Sequence, residues 1–199
     1  MTSSHPGVGA AAAPTPVTVL AGPTAVGKGT VSAAIRERYP QIWLSVSCTT
    51  RAPRPGEVDG VHYHFIPEPR FRELADSGQM LEWAVVHGRN TYGTPRGPVE
   101  AAVAQGRPVL LEIDLAGARQ IRETMPDARF VFLAPPDWDT LVQRLVGRGT
   151  EDAEERERRL ETARVELAAE GEFDVTIVND EVDRAADELA TLMGVRDIT

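Results

Sequence analysis

The stretch GPTAVGKGT, from Gly22 to Thr30, has the spacing G-x-x-x-x-G-K of a loop that binds phosphate groups. Its glycines allow the backbone to wrap so that successive N–H groups face one anion, and a helix that starts there adds partial positive charge. Lys28 is placed to bridge the phosphates, and Thr30 can reach an inner phosphate. The candidate nucleotide-binding residues of the loop are Gly22, Pro23, Thr24, Ala25, Val26, Gly27, Lys28, Gly29 and Thr30.

Lys28 is also the only lysine of the chain, because the other twenty of its 21 basic residues are arginines. A flexible ammonium group can follow a moving phosphate, whereas a planar guanidinium group is not equivalent to it. A lysine retained only at this loop position favours a functional role over a chance glycine-rich turn.

Gly29 stands where the usual motif has a serine or threonine that coordinates Mg²⁺. Such a loop can still hold the ion through the oxygens of the nucleotide and through water. Two acidic residues, Glu112 and Asp114, end the apolar run PVLLEID and are placed to orient those waters. The alternative interpretation of this pair is a polar strand end or a helix cap.

The elements that must position these residues alternate along the chain. Short apolar runs predict strands at Val17–Gly22, Ile42–Ser47, Pro108–Asp114, Arg129–Pro135 and Asp174–Asn179. Patterns typical of helices follow the loop to about residue 38 and recur at about 98–105, 115–124, 137–146, 153–170 and 181–193. This alternation predicts an α/β fold, with a parallel five-stranded core sheet flanked by helices. Residues 47–96 interrupt it and are predicted to form an inserted lobe.

Composition limits the classes of partner. The net charge of −9 argues against a general affinity for nucleic acid or anionic membranes, and no run of about 18 apolar residues predicts a membrane span. The single cysteine, Cys48, cannot form an intramolecular disulfide and suits the cytoplasm. Residues 1–16, rich in Ala, Pro, Gly and Ser, are predicted to form a disordered tail ahead of one domain at 17–199.

The inserted region carries a second group of candidate residues. Arg51, Arg54 and Tyr63 make a plausible clamp for another phosphate group, although two arginines and a tyrosine are weak evidence alone. Glu82 lies in LEWA, and the stretch TYGTP contains Tyr92 and Thr94.

Together these motifs resemble those of guanylate kinases. The similarity runs through the glycine loop, SVSCTTRAPRPGEVDGVHYHF, LEWA, YGTPR, VLLEIDLAGA, VFLAPP, GRGTE and IVNDE, so it covers nearly all of the chain from about Val17. It implies the reaction ATP + GMP ⇌ ADP + GDP with Mg²⁺, by direct in-line transfer. The implied structure is a P-loop kinase fold whose core (17–46, 97–146 and 171–199) carries a GMP-binding lobe (47–96) and a mobile lid (about 147–170).

The resemblance also assigns roles to individual residues. The GMP phosphate is assigned to Arg51, Arg54, Tyr63 and Tyr92, with Glu57 also in the substrate site, and guanine to Ser47, Glu82, Thr94 and Asp114. Arg148 and Arg159 are expected to come from the lid to the transferring phosphates, and Asn179 to lie near the adenine of ATP. The implied catalytic group is Lys28, Arg51, Asp114, Arg148 and Arg159.

The chemistry of guanine supports the assignment of Glu82 independently. The Watson–Crick edge of guanine presents two donors, N1–H and N2–H₂, and one acceptor, O6. A carboxylate such as Glu82 accepts from both donors, and a hydroxyl of Ser47 or Thr94 can donate to O6. Adenine would set a lone pair against the carboxylate. Sites of this kind discriminate by roughly 10⁴–10⁵.

Two alternatives remain open at this point. One is a catalytically inactive guanylate-kinase-like binding module, which the intact Lys28 disfavours, and the other is a different nucleoside-monophosphate kinase, which Glu82 and the TTRxxR context disfavour. The sequence predicts no nucleic-acid or membrane partner and leaves open a monomer or a homo-oligomer.

Overall fold

A five-stranded parallel sheet forms the centre of the molecule in the computed structural model, which describes residues 16–86, 90–146 and 153–196. Its strand order is β2-β7-β1-β8-β9, as the sequence predicted in number and direction. The strands are β1 (Val17–Ala21), β2 (Trp43–Leu44), β7 (Val109–Glu112), β8 (Arg129–Ala134) and β9 (Val175–Val178). The predicted tail, apart from residue 16, lies outside the described residues.

The pairing of the central strands decides where the loop lies. Every residue of β1 is buried, because helices cover both faces of the sheet. Strand β1 pairs in parallel with β7, with Leu20 opposite Glu112. The carboxyl ends of parallel strands meet at one edge of the sheet, so the glycine loop after β1 and the acidic residues after β7 are neighbours.

The helices pack on the two faces of this sheet. They are α1 (Lys28–Arg38), α3 (Arg96–Ala104), α4 (Leu115–Thr124), α5 (Trp138–Val146), α6 (Ala153–Ala168) and α7 (Val182–Leu192). One hydrophobic cluster joins the sheet to α1, α5, α6 and α7, and includes Ile35, Leu145 and Leu189. A second cluster joins the opposite face to α3 and α4 through Val99 and Ile121. These bounds agree with the predicted helices within about two residues.

The described residues between 48 and 95 form a smaller, four-stranded sheet that the sequence did not predict in detail. Its order is β4-β3-β6-β5, from β3 (Cys48–Thr49), β4 (His64–Phe65), β5 (Met80–Val86) and β6 (Asn90–Pro95). Helix α2 (Glu68–Asp76) packs against it, around a small core of Cys48, Phe71 and Met80. Two of the strands have two residues each, which is too short for a recognisable alternation of polar and apolar side chains.

Among the described residues, none of the helices has the length and apolar character that crossing a bilayer requires.

Candidate active site

The glycine loop joins β1 to α1 through backbone conformations that only small residues permit. Gly22 has a φ of 153°, and a Cβ there would lie 2.3 Å from the carbonyl oxygen of Leu133. Gly27 precedes α1 in the left-handed conformation, with a φ of 102°, and a Cβ there would lie 2.6 Å from Nδ2 of Asn179. Both glycines of the motif are therefore required by the close approach of β8 and of the segment after β9.

Lys28 is the first residue of α1 and is folded back over the loop. Its Nζ donates hydrogen bonds to the carbonyl oxygens of Gly22, at 2.6 Å, and of Pro23, at 3.4 Å. Burial lowers the pKa of its ammonium group, and the nearby carboxylates of Glu112 and Glu166 act in the opposite direction. The ammonium group is thus held at the loop by neutral carbonyl groups, which a phosphate group can replace as the stronger partner.

Asn179 supports the loop from outside. This side chain is 2% exposed, and its Nδ2 donates to the carbonyl oxygen of Val26 at 2.8 Å. The Oδ1 atom of Asn179 has no hydrogen-bond partner among the residues that the structure describes. Arg144 on α5 donates to the carbonyl oxygens of Val26 and Asn179, at 3.0 Å each. No motif in the sequence indicates this role.

Helix α6 also contacts the loop. The Oε2 atom of Glu166 accepts a hydrogen bond of 2.7 Å from the backbone N–H of Thr24. Arg159, which the resemblance assigns to the lid, is half-buried and lies seven residues earlier on the same helix. Two helical turns separate the two side chains, so they lie on the same face of α6. Arg148 lies outside the described residues.

A cavity of about 220 Å³ opens beside Lys28 and brings together predicted residues from the glycine loop, the inserted lobe and the strand end after β7. It is lined by Lys28, Ser47, Tyr63, Glu82, Ala84, Val86, Tyr92, Gly93, Glu112, Ile113 and Asp114. Seven of these are predicted site residues, drawn from α1, both sheets and the turn after β7. Ala84 and Val86 were missed, although they follow Glu82 at a spacing of two along β5 and therefore share its face.

Glu82 is the most perturbed acid of this cavity. Its side chain is 6% exposed, and its Oε1 accepts a hydrogen bond of 2.6 Å from the hydroxyl of Thr94. Burial raises the pKa of the Glu82 carboxyl to about 7, and the charge of Asp114 adds to this effect while Thr94 opposes it. Thr94 is one of the two residues, with Ser47, whose hydroxyl could donate to O6 of guanine, and in this structure that hydroxyl donates to Glu82 instead.

Arg51 lies in a tight network with the other residues of the predicted phosphate clamp. Its Nη atoms donate to the Glu57 carboxylate at 2.8 and 2.9 Å, and its Nε donates to the hydroxyl of Tyr92 at 3.0 Å. The Glu57 carboxylate also accepts from the backbone N–H of Arg54, and the Arg51 pair lowers the pKa of Glu57 to about 2. The ring of Tyr63 packs against Tyr92 and lies 5.4 Å from the guanidinium of Arg51.

The two candidate metal residues differ in their contacts. The Oδ1 atom of Asp114 caps α4, because it accepts a hydrogen bond of 2.7 Å from the backbone N–H of Gly117. Oε1 of Glu112 lies 3.7 Å from the position that a Cβ on Gly29 would take. Among the described residues no group of three or more His, Cys, Asp or Glu side chains could hold a metal ion.

Comparisons with known proteins identify close relatives. The sequence profile of the guanylate kinase family matches residues 15–195. The guanylate kinase of Leifsonia xyli subsp. xyli is 63% identical over 178 residues, which are 89% of this chain and 70% of that protein. The guanylate kinase of Thermobifida fusca is 59% identical over 90% of this chain and 91% of its own. A crystal structure of guanylate kinase from Anaplasma phagocytophilum superposes with a TM-score of 0.73 at 33% identity, covering 92% of this chain and 86% of that one.

Proposed function

Because this chain belongs to the guanylate kinase family, we propose that it transfers the γ-phosphoryl group of ATP directly to GMP, giving ADP and GDP. The observation that carries this proposal is one cavity lined by both the loop lysine, Lys28, and the buried carboxylate of Glu82. The first group suits the phosphates of the donor nucleotide and the second suits the base of the acceptor. The reaction needs no covalent intermediate, since alignment and charge neutralisation lower the barrier.

We infer that guanine binds through Glu82, with Ser47, Thr94 and Asp114 around the base. The ionised Glu82 accepts from N1–H and N2–H₂, and its contact with Thr94 leaves lone pairs on both oxygens for this purpose. The Thr94 hydroxyl accordingly acts first by orienting Glu82. Ser47, which lines the same cavity, is the hydroxyl better placed to serve O6.

The phosphate of GMP is assigned to Arg51, Arg54, Tyr63 and Tyr92. Glu57, with its lowered pKa, stays ionised and would repel a phosphate at direct contact. We propose instead that Glu57 holds Arg51 in place, through the bidentate pair, until the phosphate of GMP shares that guanidinium.

The phosphates of ATP are assigned to the loop, residues 22–30, with Lys28 at the transferring group and Thr30 at an inner phosphate. Arg148 and Arg159 are proposed to complete the site from the lid. The contact of Glu166 with Thr24 supports a link between α6 and the loop. Asn179, packed against Val26, is proposed to lie near adenine.

A loop without a hydroxyl at position 29 can still hold Mg²⁺ through nucleotide oxygens and water. With Gly29 supplying no hydroxyl, we propose that the ion is held by nucleotide oxygens and by waters that Glu112 and Asp114 orient. Bound there, it would neutralise charge on the phosphates. The buried Cys48 needs no oxidising compartment, in keeping with a proposed cytoplasmic location.

A coupled assay with ATP and GMP, AMP, UMP or CMP as acceptor tests the proposed function. Turnover with GMP at least about 100-fold more efficient than with the other three is expected from the pairing of Glu82 with guanine. Equal turnover with another nucleotide would identify a different monophosphate kinase. Binding of GMP without turnover would identify an inactive binding module.

A further inference from the structure

We propose that Gly117 and Gln120, on one face of helix α4, form a seat that positions the Glu82 carboxylate and thereby determines the selectivity for guanine. The inference rests on the proposed function, because it concerns the residues behind the proposed guanine contact. Gly117 supplies the space for the carboxylate, and Gln120 fixes the strand that carries it.

Gly117 is buried in the first turn of α4, directly against Glu82. A Cβ built on it would lie 2.7 Å from Oε2 and 3.1 Å from Cδ of Glu82, and 3.4 Å from Oδ1 of Asp114. Its backbone is helical, so freedom to adopt a positive φ is not the reason for glycine here. Glycine within a helix is less favourable than alanine. The contact with Glu82 accounts for a residue that helix propensity disfavours.

Gln120 lies three residues later on the same face of α4. Its side-chain amide bonds to both backbone groups of Trp83: Nε2 donates to the carbonyl oxygen at 2.9 Å, and Oε1 accepts from the N–H at 3.2 Å. Strand β5 is at the edge of the smaller sheet, so this amide occupies the place of a neighbouring strand. It therefore fixes the backbone of the residue that follows Glu82.

The Glu82 carboxylate is thereby held on two sides. Thr94 of β6 donates to Oε1, and α4 packs against one side of Oε2 at Gly117. A methyl group at position 117 must displace the carboxylate, because the far end of a side chain moves more easily than two packed backbones. Two parallel hydrogen bonds to guanine tolerate little displacement, since hydrogen bonds weaken steeply with poor angle and distance.

The test is the acceptor kinetics of Gly117→Ala. We expect kcat/KM for GMP to fall at least about tenfold, mainly through a higher KM, with KM for ATP changed less than about twofold. The matched control is Gly97→Ala, in the first turn of α3, where a Cβ would meet nothing within 4 Å. Both variants gain the same helix propensity, so the control shows what the added methyl group does without the contact.

The background of Glu82→Ala separates this mechanism from a general disturbance of α4. With the carboxylate removed, Gly117→Ala should change GMP kinetics less than about twofold, because the two substitutions act through one group. A second readout is the pH profile. The displaced carboxylate gains water, so the inflection of KM for GMP should move to lower pH than in the parent. Thr94 and Asp114, which also face Glu82, are unchanged in this comparison.

Gln120→Ala should likewise raise KM for GMP, with the exposed Gln143→Ala on α5 as its control. The inference would be overturned if Gly117→Ala lowered kcat/KM for GMP by the same factor in the Glu82→Ala background as in the parent. It would also be overturned if Gly117→Ala and Gln120→Ala both kept the parent's kcat/KM for GMP. Neither outcome would contradict the proposed function, provided that the parent prefers GMP and that Glu82→Ala loses this preference. Failure of the parent to phosphorylate GMP would instead refute the proposed function.

Discussion

Lys28 and Glu82 line the same cavity, and burial acts on each of them against its charged form. The pKa of Lys28 is lowered and that of Glu82 is raised, so neither charge is fully compensated by the protein around it. We propose that a bound pair of nucleotides supplies what is missing, with phosphates paired to the ammonium group and guanine donors paired to the carboxylate. The site therefore holds its charges in advance of the substrates.

Lys28→Met tests the first of these charges. Methionine keeps the apolar stem and removes the ammonium group, so we expect kcat to fall roughly 100-fold or more, as for the loss of one preorganised charge at a transition state. The melting temperature should not fall below that of the parent, because a buried cation costs folding free energy. Activity within threefold of the parent, measured in the coupled assay, would contradict the assignment.

The pH dependence of GMP binding tests the charge of Glu82. With a pKa of about 7, Glu82 loses its charge as the pH falls through neutrality, and the protonated carboxyl can no longer accept from both guanine donors. KM for GMP should therefore rise as the pH is lowered from 8 to 6. The phosphate of GMP itself titrates near a pKa of about 6. Glu82→Gln is the control, because this variant keeps the titration of the GMP phosphate and removes the titration of residue 82.

The same pKa predicts an effect on stability with a definite sign. The folded protein holds the Glu82 proton more tightly than the unfolded chain, whose reference pKa is 4.5. The free energy of unfolding therefore falls as the pH rises from about 4.5 to about 7, and the cost remains above that range. Glu82→Gln should be more stabilising, relative to the parent, at pH 8 than at pH 5. Melting curves with the same difference at both pH values would show that Glu82 does not titrate in this window.

Beyond single residues, two elements meet at the proposed Mg²⁺ position: the start of α1 and the end of β7. Gly29 sits in the first turn of α1 with helical geometry, and its missing side chain would point toward Glu112. A serine there fits at an ordinary contact distance of 3.7 Å from Oε1 of Glu112. Gly29→Ser should restore a direct ligand and lower the Mg²⁺ concentration needed for half-maximal rate.

Glu112→Gln should act in the opposite direction and raise that Mg²⁺ concentration roughly tenfold, the scale of lost outer-sphere support. Titrations at saturating ATP and GMP measure both variants. Thr30→Val is the control, because its hydroxyl is assigned to a phosphate and should affect KM for ATP instead. If Thr30→Val alone shifts the Mg²⁺ dependence, Thr30 is the direct ligand and the water-mediated arrangement is wrong.

For the whole molecule, the two sheets have cores of very different size. The five-stranded sheet is covered on both faces, whereas the core of the smaller sheet is centred on Cys48, Phe71 and Met80. Local opening costs less free energy where fewer apolar contacts are lost. Amides in 80–86 and 90–95 should exchange hydrogen faster than those in β1 and β8, and GMP should slow the first group selectively. Uniform exchange in both sheets would contradict this division.

The hydrophobic pattern predicts the larger sheet and its helices. A strand that is buried on both faces is a continuous apolar run, which the sequence shows directly. Between residues 47 and 96 the hydrophobic pattern does not predict the strands of the smaller sheet. Strands β3 and β4 are short, and β5 has an exposed tryptophan, Trp83, on one face and the buried Glu82 on the other. There the hydrophobic pattern carries little information, so motifs had to identify the site residues.

The sequence by itself determined the phosphate loop, the parallel sheet, the family and the identity of most residues around the cavity, since these depend on local spacing and on motifs. Only the tertiary structure decided how those residues act on one another. The pairing of Glu57 with Arg51, the donation from Thr94 to Glu82, and the contact of Glu166 with Thr24 all join residues whose relation no local pattern encodes. The raised pKa of Glu82 belongs to the same class, because desolvation depends on every element that packs around the group.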